Sequence, residues 1–166
     1  MRQTNLSIFI PHNGCPNRCS FCNQNTISGK EKPPTAQEVR RLLTEQQPVL
    51  ERNETAAEIA FFGGSFTAIP RGYMEELLET AAYFTEHFPG QYNGIRCSTR
   101  PDCIDAERLD ILKKYGMTAV ELGAQSMSDR VLEANFRGHT AKDVENAARL
   151  IKEYDFSLGL QMMTGL

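Results

Sequence analysis

The sequence lacks any apolar run long enough to span a membrane or to form the core of a secretion signal. Near its start the longest run is Leu6 to Pro11, far short of the ~20 apolar residues a spanning helix needs. It also lacks an excess of charge of one sign. A net charge of −3 over 166 residues leaves no electrostatic footprint for strong nucleic-acid binding, although phosphate contacts act locally and a basic patch is compatible with that total. Evenly dispersed cysteines are missing too. The five cysteines are odd in number and three crowd into eight residues, so a secreted disulfide framework fits badly, and reduced thiols in a cytoplasmic protein are expected. There is no internal repeat and no low-complexity linker. Hydrophobic content of 40% and charged content of 23% describe one ordinary globular domain, large enough to bury a core.

What is present is a regular alternation of apolar periods. Leu6-Ser7-Ile8-Phe9-Ile10 reads as a first strand. A loop from His12 to Pro34 follows, rich in Asn, Cys, Gly and Pro. Thr35 with Glu38 forms a capping-box signature ahead of Val39, Leu42 and Leu43. Strands are then expected over 58–62, 94–99, 118–124 and 156–163, with helices over 70–88, 105–115 and 128–134 and another capped by Thr140 and Asp143. Such alternation specifies right-handed β-α-β units on a parallel sheet. The chain stops just after a strand, at Thr164-Gly165-Leu166. A sheet ending there has an exposed edge, and a segment truncated from a longer protein is expected.

Cys15-Pro16-Asn17-Arg18-Cys19-Ser20-Phe21-Cys22 is the strongest signal. Pro16 turns Cys15 away from helical geometry, so the three thiols should wrap around something compact. Thiolates select zinc or iron–sulfur clusters. Two readings follow. Three ligands on one loop leave one iron of a cluster open for chemistry, since such clusters usually take four cysteines. Alternatively, His12 joins the same thiols in a closed zinc site and the chain is a binding module without catalysis. The loop's place at the C-terminal end of the first strand, where β/α barrels build their active sites, favours the cluster. An iron–sulfur electron carrier is a third reading.

Elsewhere the residues admit both functional and structural roles. Gly63-Gly64 closes strand two, letting backbone approach a ligand or making a tight turn. If Val120, Leu122 and Ala124 face the helices, Glu121, Gly123 and Gln125 point the other way. An inward carboxylate is costly unless paired, which marks Glu121 as a candidate catalytic residue or as half of a buried ion pair. Arg100 ends strand three and also faces the site. Cys97 and Cys103 are expected to be packing residues, and Arg40-Arg41 and Lys113-Lys114 solvated helix ends.

The cysteine loop, together with Phe61-Phe62-Gly63-Gly64-Ser65-Phe66-Thr67, Ser98-Thr99-Arg100-Pro101-Asp102, Glu121-Leu122-Gly123-Ala124-Gln125-Ser126 and Arg137-Gly138-His139-Thr140, resembles the radical S-adenosylmethionine (radical SAM) superfamily. Within it the likeness is to the radical domain of the Elongator catalytic subunit and, more distantly, to oxygen-independent coproporphyrinogen dehydrogenase. The resemblance covers nearly the whole chain. It implies an α/β fold, a partial (β/α)6 barrel in one domain over residues 1–166, with five of six strands present and the cluster loop at 12–34. It implies a [4Fe-4S] cluster on Cys15, Cys19 and Cys22, and S-adenosylmethionine held by Phe21, Gly63, Gly64, Ser98, Gln125 and Arg137. Phe21 would lie by the adenine, Gly63 and Gly64 by the methionyl amino group, Gln125 by the ribose and Arg137 by the methionyl carboxylate. A reductant protein of flavodoxin or ferredoxin type is implied, and a substrate that is a tRNA base on the nearer likeness or a small metabolite or porphyrin on the farther one. Three departures stand out. Ser98 replaces a frequent glutamate, Gln161 replaces an acidic ribose ligand of the dehydrogenase, and the cysteine spacing is shorter than in the Elongator subunit. These 166 residues include no acetyltransferase domain.

Overall fold

The structure, a computed structural model, describes residues 2–11, 15–16, 18–22 and 32–166. Five strands, β1 (Arg2–Ile10), β2 (Thr55–Gly63), β3 (Tyr92–Thr99), β4 (Ala119–Gln125) and β5 (Ser157–Met162), form one sheet in chain order. All neighbouring pairs are parallel. The connections carry α1 (Ala36–Arg52), α2 (Arg71–His87), α3 (Ala106–Lys114), α4 (Asp129–Ala134) and α5 (Ala141–Glu153), with 3-10 turns at Phe66–Ala68 and Pro101–Cys103. Right-handed crossovers between successive neighbours put the helices on one face of the sheet. The opposite face is left to strand side chains. Because β1 and β5 do not pair, the barrel is partial and open.

The core lies between sheet and helices. Ile8, Ile59, Phe61, Ile95, Val120 and Leu122 from the strands meet Val39, Leu43, Leu77, Leu78, Leu109, Leu112 and Ile151 from the helices. Strand β4 alternates as expected. Val120, Leu122 and Ala124 are fully buried, whereas Glu121 and Gln125 are only partly so. Both expected capping boxes form, Thr35 with Glu38 at α1 and Thr140 with Asp143 at α5. They satisfy N–H groups that have no partner within the helix.

The elements differ from expectation mainly at their ends. Strand β1 starts four residues before its apolar run, because the polar Arg2–Asn5 stretch pairs in register with Thr55–Glu58. Backbone ladders extend a strand wherever a partner runs alongside, whether or not side chains are buried. Helix α1 carries Pro48 in its interior. A proline there costs about 3 kcal/mol, which the burial of Val39, Leu43 and Leu50 offsets. Strand β3 begins earlier, at Tyr92, whose hydroxyl donates to the Leu43 carbonyl at 2.5 Å. Burial pushes that phenol up to about 12. Strand β5 is an edge of the sheet, and on it Leu160 and Met162 stand 49% and 51% exposed. No helix among the described residues is long and apolar enough to cross a membrane.

Candidate functional site

At the C-terminal ends of the strands lies a cavity of about 140 Å³. The three loop cysteines line it, with Phe21, Gly63, Gly64, Ser98, Gln125 and Arg137. Arg18, Thr99, Arg100, Gly123 and Gln161 complete the wall. Residues up to 146 positions apart thus share one pocket because a parallel sheet delivers each strand end to the same rim. Glu121 is not among them.

None of the three cysteines sits on a helix, and the Cys22 N–H donates to the Cys19 carbonyl at 3.1 Å, closing a turn. Two bonds staple this turn to the residue after α4. The Ser20 N–H donates to the Asn135 carbonyl at 3.2 Å, and the Ser20 hydroxyl donates to Asn135 Oδ1 at 2.6 Å. The staple places Arg137 beside the thiols. Its Nη1 donates to Cys19 Sγ at 3.1 Å and its Nη2 to the Gly123 carbonyl. The guanidinium carbon lies 5.9 Å from the centre of the Phe21 ring. Gly123 makes room, since a Cβ there would lie 3.3 Å from Arg137 Nη2.

Arg100 is buried beside this group. Its Nε and Nη2 each donate to the Asp102 carboxylate at 2.9 Å, and Nη2 also reaches the Arg137 carbonyl. Burial pushes the Cys15 thiol up, and the positive charge of Arg100 pulls it the other way. Two donors remain over. Arg100 Nη1 and Arg137 Nε are buried with no partner among the described residues. A buried N–H left unpaired costs about 1–3 kcal/mol, and an acceptor on a ligand would suit both.

The opposite rim is built by hydroxyls and glycine. Thr99 Oγ1 lies 2.8 Å from Ser65 Oγ and 2.6 Å from Thr67 Oγ1, and Thr67 Oγ1 donates to the Cys103 carbonyl at 2.5 Å. This buried network ties the end of β2 to the end of β3. Gly63 has φ +118°, and the Gly64 N–H donates to the Ile10 carbonyl at 2.9 Å. With that N–H engaged, what the glycine turn can offer an ammonium group is a carbonyl. Gln125 also has positive φ, +65°, where β4 shifts register against β5. A non-glycine residue there costs on the order of 1 kcal/mol. Neither the staple nor this strain leaves a signal in local sequence.

Behind Ser98 and Gln161 runs a polar ladder across the helix-free face. Arg96 donates through Nε to Glu58 at 2.7 Å and through Nη1 to Glu121 at 2.5 Å. Glu121 also accepts from Ser98 Oγ at 3.3 Å and from Gln161 Nε2 at 2.6 Å. Of the two readings of Glu121, its surroundings are those of an ion pair. Cys97 and Cys103 are buried packing residues, as expected. Lys113 and Lys114 end α3 at the surface, as expected, whereas Arg40 and Arg41 are exposed but lie within α1 and not at its end, Arg40 stacking over Tyr83 and Arg41 pairing with Glu45. Among the described residues no three His, Cys, Asp or Glu side chains converge as they would around one metal ion. In a four-iron cube each thiolate takes its own iron, which sets the sulfurs farther apart. His12, the fourth donor of the zinc alternative, lies outside the described residues.

His139, missed as a site neighbour by sequence reasoning beyond its motif, is buried behind Arg137, with its Nε2 donating to the Ala124 carbonyl at 3.3 Å. Burial holds its pKa below the ordinary 6.5, and Arg137 adds to the effect. The unfolded chain therefore binds a proton that the folded chain refuses, so stability falls as pH drops below about 6.5. His139→Gln should flatten this slope. Urea midpoints measured between about pH 5 and pH 7 should depend less on pH in the variant, and an identical slope would refute the assignment.

With this geometry in hand, comparison with known proteins is informative. The sequence model of the Radical SAM superfamily matches residues 9–166. An uncharacterized protein of Methanocaldococcus jannaschii is 29% identical over 149 residues, covering 82% of this chain and 44% of that protein. Elongator complex protein 3 of Schizosaccharomyces pombe is 32% identical over 125 residues, covering 66% of this chain and 23% of that protein. The chain thus spans less than half the length of these relatives. Among solved structures, the archaeal Methanocaldococcus infernus Elp3 superposes with a TM-score of 0.70 at 18% identity, covering 100% of this chain and 39% of that one. The open parallel sheet, the thiol turn at its C-terminal rim and the match over nearly the full length converge on one assignment: this chain belongs to the radical SAM superfamily of iron–sulfur enzymes.

Proposed function

We propose that Cys15, Cys19 and Cys22 hold a [4Fe-4S] cluster and that the adjoining pocket binds S-adenosylmethionine. Together these groups supply one-electron cleavage of a sulfonium to a 5′-deoxyadenosyl radical, which takes a hydrogen atom from substrate. The observation that carries the reading is that three thiols line one pocket with two arginines, each of which has a buried N–H without a partner among the described residues. The residues fit the groups. Soft thiolates suit iron, and the Arg137 N–H on Cys19 Sγ offsets thiolate charge. Arg137 Nε and Arg100 Nη1 suit a carboxylate, and a carbonyl of the Gly63-Gly64 turn suits an ammonium. Phe21 offers a ring face to a base, and Gln125 and Ser98 offer polar groups to a ribose.

The substrate class we favour is a tRNA base. Relatives named Elongator complex protein 3, and a tRNA uridine(34) acetyltransferase of Methanocaldococcus jannaschii that is 32% identical over 89 residues, support it. A flavodoxin- or ferredoxin-type protein would supply the electron. A cytoplasmic setting suits five free thiols. Anaerobic reconstitution with iron and sulfide should give a brown protein that releases 5′-deoxyadenosine from S-adenosylmethionine when reduced with dithionite. A colourless protein holding one zinc per chain would overturn the proposal in favour of a metal-stabilised binding module.

A further inference from the structure

Glu121 was singled out for its inward carboxylate, yet it does not line the pocket, whereas its neighbours Ser98 and Gln161 do. Its three hydrogen-bonded neighbours account for this. One carboxylate oxygen takes Arg96 Nη1, and the other takes Gln161 Nε2 at 2.6 Å and Ser98 Oγ at 3.3 Å. Arg96 is itself held from the far side by Glu58 at 2.6 Å. Gly159, opposite Glu121 in the β4–β5 register, leaves space for this arrangement, since a Cβ there would sit 3.0 Å from Glu121 Cγ.

A carboxylate accepts hydrogen bonds and donates none. The end of the Gln161 amide that faces Glu121 must therefore be its NH₂, which also donates to Ser98 Oγ at 3.2 Å. Its carbonyl, Oε1, is the end turned away from Glu121, on a residue that lines the pocket. Ser98 likewise gives its hydroxyl proton to Glu121 and, with one lone pair taken by Gln161, keeps one over. Glu121 thus consumes the donors of this wall and leaves acceptors. The wall formed by Arg100 and Arg137 has the opposite character, with N–H donors in want of acceptors.

We infer that Glu121, anchored by Arg96, is a positioning residue that locks the Gln161 amide so that its carbonyl accepts a hydrogen bond from a neutral donor, a sugar hydroxyl, on the ligand in the pocket. This rests on the proposed adenosyl ligand and adds a division of labour to it. The cationic wall takes the anionic end of the ligand, and the acceptor wall takes its hydroxyl-bearing end. Glu121 stands off the pocket wall and takes no part in proton transfer.

The test uses cluster-loaded protein under anaerobic conditions and calorimetric binding of S-adenosylhomocysteine alongside its 2′-deoxy and 3′-deoxy analogues. The parent protein should bind the parent compound about five- to tenfold tighter than one of the deoxy analogues, the range of one hydrogen bond. Gln161→Met should reduce that preference to less than about twofold, and Glu121→Met should do the same although it removes no pocket-lining group. The double variant should lose no more than either single one, because Glu121 acts only through Gln161. Should Glu121→Met fail to fold, the isosteric exchange decides. Gln161→Glu alone sets two carboxylates against each other and should lose the preference, and adding Glu121→Gln should restore it. A parent protein that binds the homocysteine compound but ignores sugar hydroxyls, or a Glu121→Met or exchanged variant that behaves otherwise, overturns the inference alone. A parent protein that binds no adenosyl compound overturns the function proposed above.

Discussion

Cys19→Ser should leave the protein nearly free of iron after anaerobic reconstitution, with well under one iron per chain against about four for a full cluster. Serine keeps the size of the side chain but exchanges a soft thiolate for a hard, protonated hydroxyl. Cys19 is the informative member of the trio because Arg137 Nη1 donates to its sulfur at 3.1 Å. The sheet should not notice the change, since the cysteine turn lies outside every strand and helix. Far-UV circular dichroism of the variant should match the parent. The contrast is Cys97→Ser, which alters a thiol on β3 that is fully buried and whose pKa burial pushes far up. That variant should keep its iron and lose stability instead, by about 1–3 kcal/mol for a hydroxyl placed in an apolar site. Iron retained in Cys19→Ser and lost in Cys97→Ser would reverse the assignment of ligand and packing thiols.

Gly63→Ala should destabilise the fold by about 2–4 kcal/mol and abolish binding of the adenosyl ligand together. An added Cβ would sit 2.4 Å from the Ile10 carbonyl oxygen, at a residue whose φ is +118°. Both faults lie in backbone, which cannot rotate aside as a side chain can. Gly63 is paired with Ile10 in the β1–β2 register, and Ile10 leads through Pro11 toward the cysteine turn. Any shift that relieves the clash therefore moves the thiols away from Arg137 and Gly64. Gly72→Ala supplies the opposite sign. Gly72 lies in α2, and a Cβ there would meet nothing within 4 Å, so the change should gain about 0.5–1 kcal/mol from helix propensity. Urea denaturation of the three proteins decides it. A Gly63→Ala protein as stable as the parent would mean that β1 and β2 do not meet as described.

Much of the architecture is legible in the chain because it is written in local periods. Alternating runs such as Val120, Leu122 and Ala124 fix a strand and its buried face. Thr35 with Glu38 and Thr140 with Asp143 fix two helix starts. Element ends were less legible. The polar start of β1 is a strand only because Thr55–Glu58 runs beside it, and no local pattern announces a partner fifty residues away.

The site divides along the same line. By itself the sequence determined which residues are chemically equipped: three thiols within eight residues, a glycine pair after a strand, an arginine in a specific tetrapeptide. Residue type and short spacing suffice for that, since they set softness, charge and backbone freedom. Only the tertiary structure decided who meets whom. Arg137 reaches Cys19 because Asn135 is stapled to Ser20 across 115 positions. Glu121 meets Arg96, Ser98 and Gln161 because β3, β4 and β5 lie side by side in register. Hydrogen bonds between distant residues depend on strand order and register, and those are set by the packing of the whole sheet against its helices.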